Sequence, residues 1–336
     1  MVKSQLKLIL VILIPLNLIS AEIDQYPFMF ENQRDASKAI NYKFNSMFKK
    51  YVESINKKLI KRRRCSQVVL EAAAKLQKGV ESKIGRWIRV TNKVDQRPRA
   101  INGKGENYYK ESIYYDPKVP DIWPWTILKQ LTPIVNFNGI YIGGDKIGHM
   151  TDQGLAMYRR FIDAKNVGRS DTTAENKAFH LGVFSELTVL GGHGSQVTSF
   201  GDLEANYQGY RLYRNMCEGK NPIIKKNKKG KWTVTRKIDL RNYVTPYMNE
   251  VFYANVYSKS KKKLVYKHIK KKYCNVNYFK NSHLMERQSY YLSIAKPSPM
   301  HKYLRRRIKK GEIKDNTKNH IYHICKDLIK IKDLKK

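Results

Sequence analysis

Residues 32–59 repeat apolar side chains at helical intervals: Ala36, Ile40, Phe44, Phe48, Val52, Ile55 and Leu59, with polar residues between them. The spacing predicts an amphipathic helix. A second stretch, 66–89, carries Val69, Ala73, Leu76 and Val80 and predicts another. Helical patterning resumes over 143–164, 174–190 and 199–217, continues over 239–257 and 264–273, and returns near 320–330. Between these stretches, Pro98, Gly103, Gly105, Pro117, Pro120 and Pro124 punctuate residues 92–125, and a Tyr-rich run at 108–115 lies among them. Residues 220–237 read as a basic connector with a hairpin around Lys229-Gly230, and the Pro- and Lys-rich segment 296–320 reads as loose chain. There is no internal repeat and no clear linker. The pattern predicts one all-α domain, a multi-helix bundle with long irregular loops. N-terminal helices and the Tyr/Pro-rich loops occupy 22–125, a helical core 126–295, and a basic C-terminal extension ending in a helix 296–336.

The first 21 residues follow a different pattern. Lys3 and Lys7 precede an apolar run at 8–16, and Ile19-Ser20-Ala21 ends in small residues. This order predicts a secretory signal peptide cleaved near Ala21, in preference to an uncleaved anchor. No Cys stands near that point, which argues against a lipid anchor. The mature protein is therefore expected to be periplasmic or secreted. Cys65, Cys217, Cys274 and Cys325 permit two disulfides in an oxidising compartment. Cys274 is expected to pair with Cys325, tying 296–320 to the body, with Cys65 and Cys217 pairing or staying free.

Composition adds a partner class. Lys and Arg number 66 against 28 Asp and Glu, a formal charge of +38, which favours anionic partners. Export argues against nucleic acid and for phospholipid headgroups, lipopolysaccharide or acidic wall polymers. The plainer alternative is that runs such as 225–231 and 258–263 are solvated surface.

Candidate chemistry is concentrated in 142–209. Asp145, His149 and Asp152 fall at i, i+4 and i+7 on one stripe of the first helix there, while Lys146 is offset by about 100° and is expected at the rim. Glu186 lies in a helix that is apolar almost all round, sharing its stripe with Phe179, Val183 and Leu190. A buried carboxylate there needs a partner or a raised pKa. On the third helix Asp202, Asn206, Gly209 and Tyr213 share an inward face, with Glu204, Arg211 and Asn215 on the other side. Ser199 with Asp202 also fits a helix cap, and Gly209 suggests close helix approach. Gly191-Gly-His193-Gly-Ser195 reads as a connector.

Asp145, His149, Glu186, Asp202 and Asn206 are expected to meet in one partly buried pocket, with His149 raised in pKa by a nearby carboxylate. Two functions follow. In one, the inward cluster is structural or binds an anionic or lipid headgroup through Asp145, Lys146, Ser199 and Asn206. In the other, Glu186, His149 and Asp202 act on envelope material as metal ligands or as acid and base. No H-E-x-x-H spacing is present, and the pattern specifies neither metal nor cofactor nor oligomeric state.

The order Asp145-Lys146-x-x-His149, then Glu186 in an apolar helix, then Ser199-x-x-Asp202-x-x-Ala205-Asn206-x-x-Gly209 resembles the VanZ/YfiM-like group of bacterial envelope proteins, over 142–209 only. The resemblance implies an α-helical envelope protein whose polar residues converge between helices. Arg159, Arg160 and Asp163 exclude a membrane span in the first of these helices, a departure from the membrane-embedded VanZ type.

Overall fold

A computed structural model describes residues 22–57, 63–78, 81–101, 104–105, 108–120, 129 and 131–328. The expected signal peptide at 1–21 lies outside the described residues. The apolar stripe of 32–59 forms α1 (Ser37–Ile55), which buries Ile40, Phe44, Phe48, Val52 and Ile55 in the main core. The stretch 66–89 is not one helix but two, α2 (Cys65–Ala74) and α3 (Lys83–Val90), because the chain turns through a short antiparallel pair between them. Ser82 ends that turn and caps α3, its Oγ accepting from Gly85 N at 2.8 Å.

A three-stranded antiparallel sheet, absent from the all-helical expectation, precedes the central helices. Its strands β1 (Gln96–Arg97), β2 (Ile134–Phe137) and β3 (Ile140–Gly143) lie in that order. Asn138 and Gly139 join β2 to β3 with φ of 56° and 84°, the left-handed pair that a two-residue hairpin requires. β3 runs straight into α4 (Gly144–Asn166), with Gly143 at the junction. A Cβ on Gly143 would stand 2.1 Å from Ile23 Cδ1 and 2.4 Å from Asp145 Oδ1.

Next come α5 (Asp171–Ser185), a π-helical segment (Glu186–Ser195) and β4 (Val197–Thr198). The Gly-rich stretch read as a connector is thus helical, and it ends at Gln196 with φ 64°. Then α6 (Phe200–Cys217) crosses α4. Lys146 meets Asp202, His149 meets Asn206, and the Thr151 carbonyl accepts from Tyr213 Oη, so the two helices run parallel with their N-terminal ends together. A Cβ on Gly209 would lie 2.0 Å from the Met150 carbonyl oxygen, and one on Gly154 2.6 Å from Gly209 Cα. The backbones touch there.

The basic connector is the expected hairpin, β5 (Ile224–Lys226) with β6 (Trp232–Val234). The helix expected over 239–257 does not form. Pro246 interrupts it, leaving two 3₁₀ turns and β7 (Val256–Tyr257), which pairs with β4. The C-terminal part holds α7 (Lys259–Lys272), α8 (Val276–Asn281), α9 (Leu284–Ile294), α10 (Pro299–Lys309) and α11 (Ile321–Cys325). Residues 296–320 are not loose. Ser298 caps α10, Met300 and Leu304 are buried, and Asn316 and Asn319 donate to the carbonyls of Ala254 and Asn255 at 2.8 and 2.7 Å. Cys274 bonds Cys325 and Cys65 bonds Cys217, so all four cysteines are paired. The chain is mostly helical with few short strands, and no helix among the described residues is long and apolar enough to cross a membrane.

The Gly154–Gly209 contact leaves no space for a methyl group. Gly209→Ala is expected to lower unfolding free energy by at least ~2 kcal/mol, the upper range for overpacking. Gly148, whose nearest outside atom to an added Cβ is Ser82 Oγ at 3.5 Å, should accept Ala within about 1 kcal/mol of wild type. Urea denaturation followed by circular dichroism separates them, and equal tolerance at both positions contradicts the contact.

Candidate functional site

The parallel entry of α4 and α6 puts the first turns of both helices side by side. Lys146 sits between them, fully buried, with Nζ 2.5 Å from Asp202 Oδ1, 2.6 Å from Glu250 Oε1 and 3.3 Å from Asp145 Oδ2. The sequence reading placed this lysine at the rim. Its offset from Asp145 instead turns it toward α6, and the 249–255 segment closes over it. Burial alone would strip its proton. The carboxylates of Asp145, Asp202 and Glu250 hold the proton on and raise the pKa well above that of an ordinary lysine.

Glu250 is the central residue that sequence reasoning missed, because 239–257 was read as helix. Gln25 positions it. The Gln25 Oε1 accepts from Glu250 N at 2.9 Å while its Nε2 donates to the Tyr141 carbonyl at 2.7 Å. Glu250 Oε1 also accepts from Ser199 Oγ at 2.7 Å, and Oε2 from Asn255 Nδ2 at 2.6 Å. The interrupting Pro246 was the available signal that this stretch is not regular helix.

His149 lies 7% exposed. Its Nδ1 is 3.0 Å from Asn206 Oδ1, and its Nε2 is 3.4 Å from Asp202 Oδ2. The roles of the two ring nitrogens follow the tautomer: when Nδ1 carries the proton, Asn206 Oδ1 accepts from it. Burial, aided by the Lys146 charge, lowers the His149 pKa despite Asp202, contrary to the expected rise. For Asp202 the balance is reversed. Burial pushes its pKa up, but His149, Lys146 and Ser199 bring it below the ordinary value. Burial together with the charges of Asp202 and Glu250 raises Asp145 to about 8, and its Oδ1 has no hydrogen-bond partner.

Glu186 opens the π-helical segment and is 2% exposed. Its Oε1 accepts from Ser199 N at 2.8 Å, and its Oε2 has no partner among the described residues. Burial first and Asp202 second raise its pKa well above the ordinary carboxyl value. A Cβ on Gly191 would fall 2.6 Å from Glu186 Oε1 and 2.4 Å from the Val197 carbonyl, so glycine there makes room for the carboxyl. Glu22 joins the group from the N-terminal arm, raised to about 8 by burial and by Glu250 while accepting from Ser195.

The structure thus gathers Asp145, Lys146, His149, Ser199, Asp202 and Asn206, with Glu186 attached through Ser199. Asp152 lies farther along α4, toward Tyr213. Glu204, read as outward, is buried on the opposite side of α6. There Gln208, Thr245 and Ser298 donate to it, because α10 and the 3₁₀ turns cover that face. The donor atoms of Asp145, His149 and Asp202 lie within 4.8 Å of one another, a set that can hold a metal ion. With five carboxyls (Glu22, Asp145, Glu186, Asp202, Glu250) against the ammonium of Lys146 and that of Lys261 beside Glu22, acids are in excess and the centre suits protons or cations rather than anions. The chain matches no family model, no curated protein and no solved structure.

Asp24, on the arm that carries Glu22 and Gln25, gives a measurable pH effect. Burial raises its pKa to about 7, although Ile113 N and Tyr26 N donate to it at 2.7 and 3.0 Å. The native state therefore binds this proton more tightly than the unfolded chain. Its stabilising contribution is complete below the unfolded value of about 3.8 and is lost as pH rises through about 7, at most ~4 kcal/mol in all. Asp24→Asn should carry a fixed cost from its mismatched amide but none of this slope. Urea titrations from pH 4.5 to 7.5 are expected to show wild type losing stability relative to the variant. A difference that is constant or of opposite slope contradicts the assignment.

Proposed function

We propose that this is an exported cell-envelope protein that docks on anionic envelope components through its basic exterior, and that its buried polar centre is its functional site. The docking half of this reading is carried by the arrangement of the bases. On α7 the exposed residues Lys259, Lys263, Lys267, Lys270 and Lys271 recur at helical spacing opposite buried Val265 and Ile269. On α10 the exposed Lys302, Arg305, Arg306 and Lys309 do the same opposite Met300 and Leu304. Such stripes present a row of cations to one surface. The anionic ligand expected inside the polar cluster is better placed on these stripes, because the acid excess around Lys146 opposes an anion there. Two disulfides fit an oxidising, exported location. The ordered resemblance to VanZ/YfiM-like envelope proteins agrees with it.

A second reading, hydrolysis of envelope material, is favoured by one observation. Glu186 is a buried carboxyl with an unpartnered oxygen, coupled through Ser199 to Asp202 and hence to His149. In it Glu186 is the acid or base, and Asp202 and His149 orient the reacting group.

Co-sedimentation with phospholipid vesicles tests the docking. Binding is expected only when anionic lipid is present, and it should weaken with added salt. Replacing Lys259, Lys263, Lys267 and Lys270 with Gln should weaken it at least ~10-fold, since each lysine near an anionic surface contributes about 1 kcal/mol. Equal binding to uncharged vesicles, or no change in the variant, refutes the reading. Release of fragments from purified wall material by wild type, and its loss in Glu186→Gln, would instead establish the hydrolase.

A further inference from the structure

Asp145 and Asp202 each give one oxygen to Lys146, Oδ2 and Oδ1 respectively. Asp202 Oδ2 is left 3.4 Å from His149 Nε2, and a carboxylate oxygen of Asp145 lies within 4.8 Å of donor atoms on both residues. We propose that these three atoms bind one divalent transition-metal ion. The inference rests on the reading of the polar centre as the functional site and names its ligand.

Distances support the set. Two ligands about 2.1 Å from a tetrahedral ion stand about 3.4 Å apart, and His149 Nε2 is 3.4 Å from Asp202 Oδ2. All three donors lie within 4.8 Å, so Asp145 completes the shell by a small side-chain movement. Each ligand is already oriented by a contact behind it. Lys146 holds both carboxylates, and Asn206 Oδ1 stands 3.0 Å from His149 Nδ1, where it accepts from the Nδ1-protonated tautomer that offers Nε2 to an ion. Charge points the same way, because the carboxyls of Asp145, Asp202 and Glu250 outnumber the single Lys146 ammonium they face, and a cation adds to that balance.

Glu186 supplies an independent observation. It is buried, its strongest charged neighbour is Asp202, and its Oε2 accepts no hydrogen bond. A buried carboxyl oxygen without a partner among the described residues calls for a ligand, and a water held by an ion at Asp202 would supply one. Access also fits. Lys146 is sealed, whereas the Asp145, Asp202 and His149 side chains retain 12%, 9% and 7% of their exposure. One imidazole with two carboxylates suits zinc, manganese or iron, whereas magnesium and calcium take oxygen ligands alone.

The test uses the full mature chain, stripped with chelator, and Zn²⁺ alone in calorimetry, with Co²⁺ as the optical probe. One Zn²⁺ per chain is expected, not displaced by excess Mg²⁺ or Ca²⁺, together with Co²⁺ visible bands of a four- or five-coordinate nitrogen and oxygen set. His149→Ala should weaken Zn²⁺ by roughly 100-fold or more, and Asn206→Ala by roughly 10- to 100-fold, because it frees the ring that Asn206 orients. Circular dichroism establishes that each variant is folded. Absence of an equimolar site in wild type overturns the proposal, as does unchanged affinity in folded His149→Ala. If His149→Ala does not fold, the wild-type Co²⁺ spectrum decides, and absence of the bands overturns the proposal. Vesicle binding by the α7 lysines is measured without metal, so failure of either proposal leaves the other standing on its own data.

Discussion

The backbone contact of Gly154 with Gly209 is the constraint on which the remaining structure depends. It lets α4 and α6 approach until only hydrogen side chains fit between them. From that point the helices run parallel back to their N-terminal ends, where Lys146 and His149 face Asp202 and Asn206. Two helix N-termini then converge on the same carboxylates. Their partial positive charges face Asp145 and Asp202, both in first turns, and of the two only Asp202 is held below the ordinary carboxyl value. A larger residue at either glycine would part the helices and leave a buried ammonium and several carboxyls without each other.

Those groups are costly to bury singly and tolerable only together. Lys146 is sealed from the surface, so its charge depends on three carboxyl groups from three parts of the chain. Asp145 comes from α4, Asp202 from α6, and Glu250 from a segment far along the sequence. Gln25 ties the N-terminal arm to that segment and to β3, while Asn249 Nδ2 donates to the same Tyr141 carbonyl at 2.7 Å. The centre is thereby the place where the arm, the sheet, both central helices and the β7 approach meet. Five acids are gathered at this buried centre, while bases stand in exposed rows on α7 and α10.

Much of this was legible from residue spacing. The period of Ile40, Phe44, Phe48 and Val52 marks α1, and an isolated Glu186 among apolar residues marks a carboxyl with a special environment. Asp202 and Asn206 at i, i+4 mark the inward face of α6. Both cysteine pairs were also within reach of the count and the expected location. Other features were hidden for physical reasons. Glu250 lies in a stretch whose spacing suggested a helix that does not form, and its place is set by Gln25, 225 residues away in sequence. Lys146 was assigned to the rim because a lone helix shows an angle but not what covers it. Glu204 was misjudged for the same reason, since α6 is enclosed on every side. The β2–β3 hairpin did have a local signature in Asn138-Gly139 between alternating apolar residues. A reading tuned to helical periods passed over it. The order in 296–320 comes from Asn316 and Asn319 bonding to distant carbonyls, which composition does not reveal.

The claim that Lys146 and Asp202 form one coupled unit across the α4–α6 contact is tested most directly by a double-mutant cycle. Unfolding free energies of wild type, Lys146→Met, Asp202→Asn and the double variant suffice. Each single change leaves an uncompensated buried group and is expected to cost about 3–5 kcal/mol. The double variant should fall short of the sum by at least ~1 kcal/mol. Strict additivity, or single variants as stable as wild type, would contradict the account.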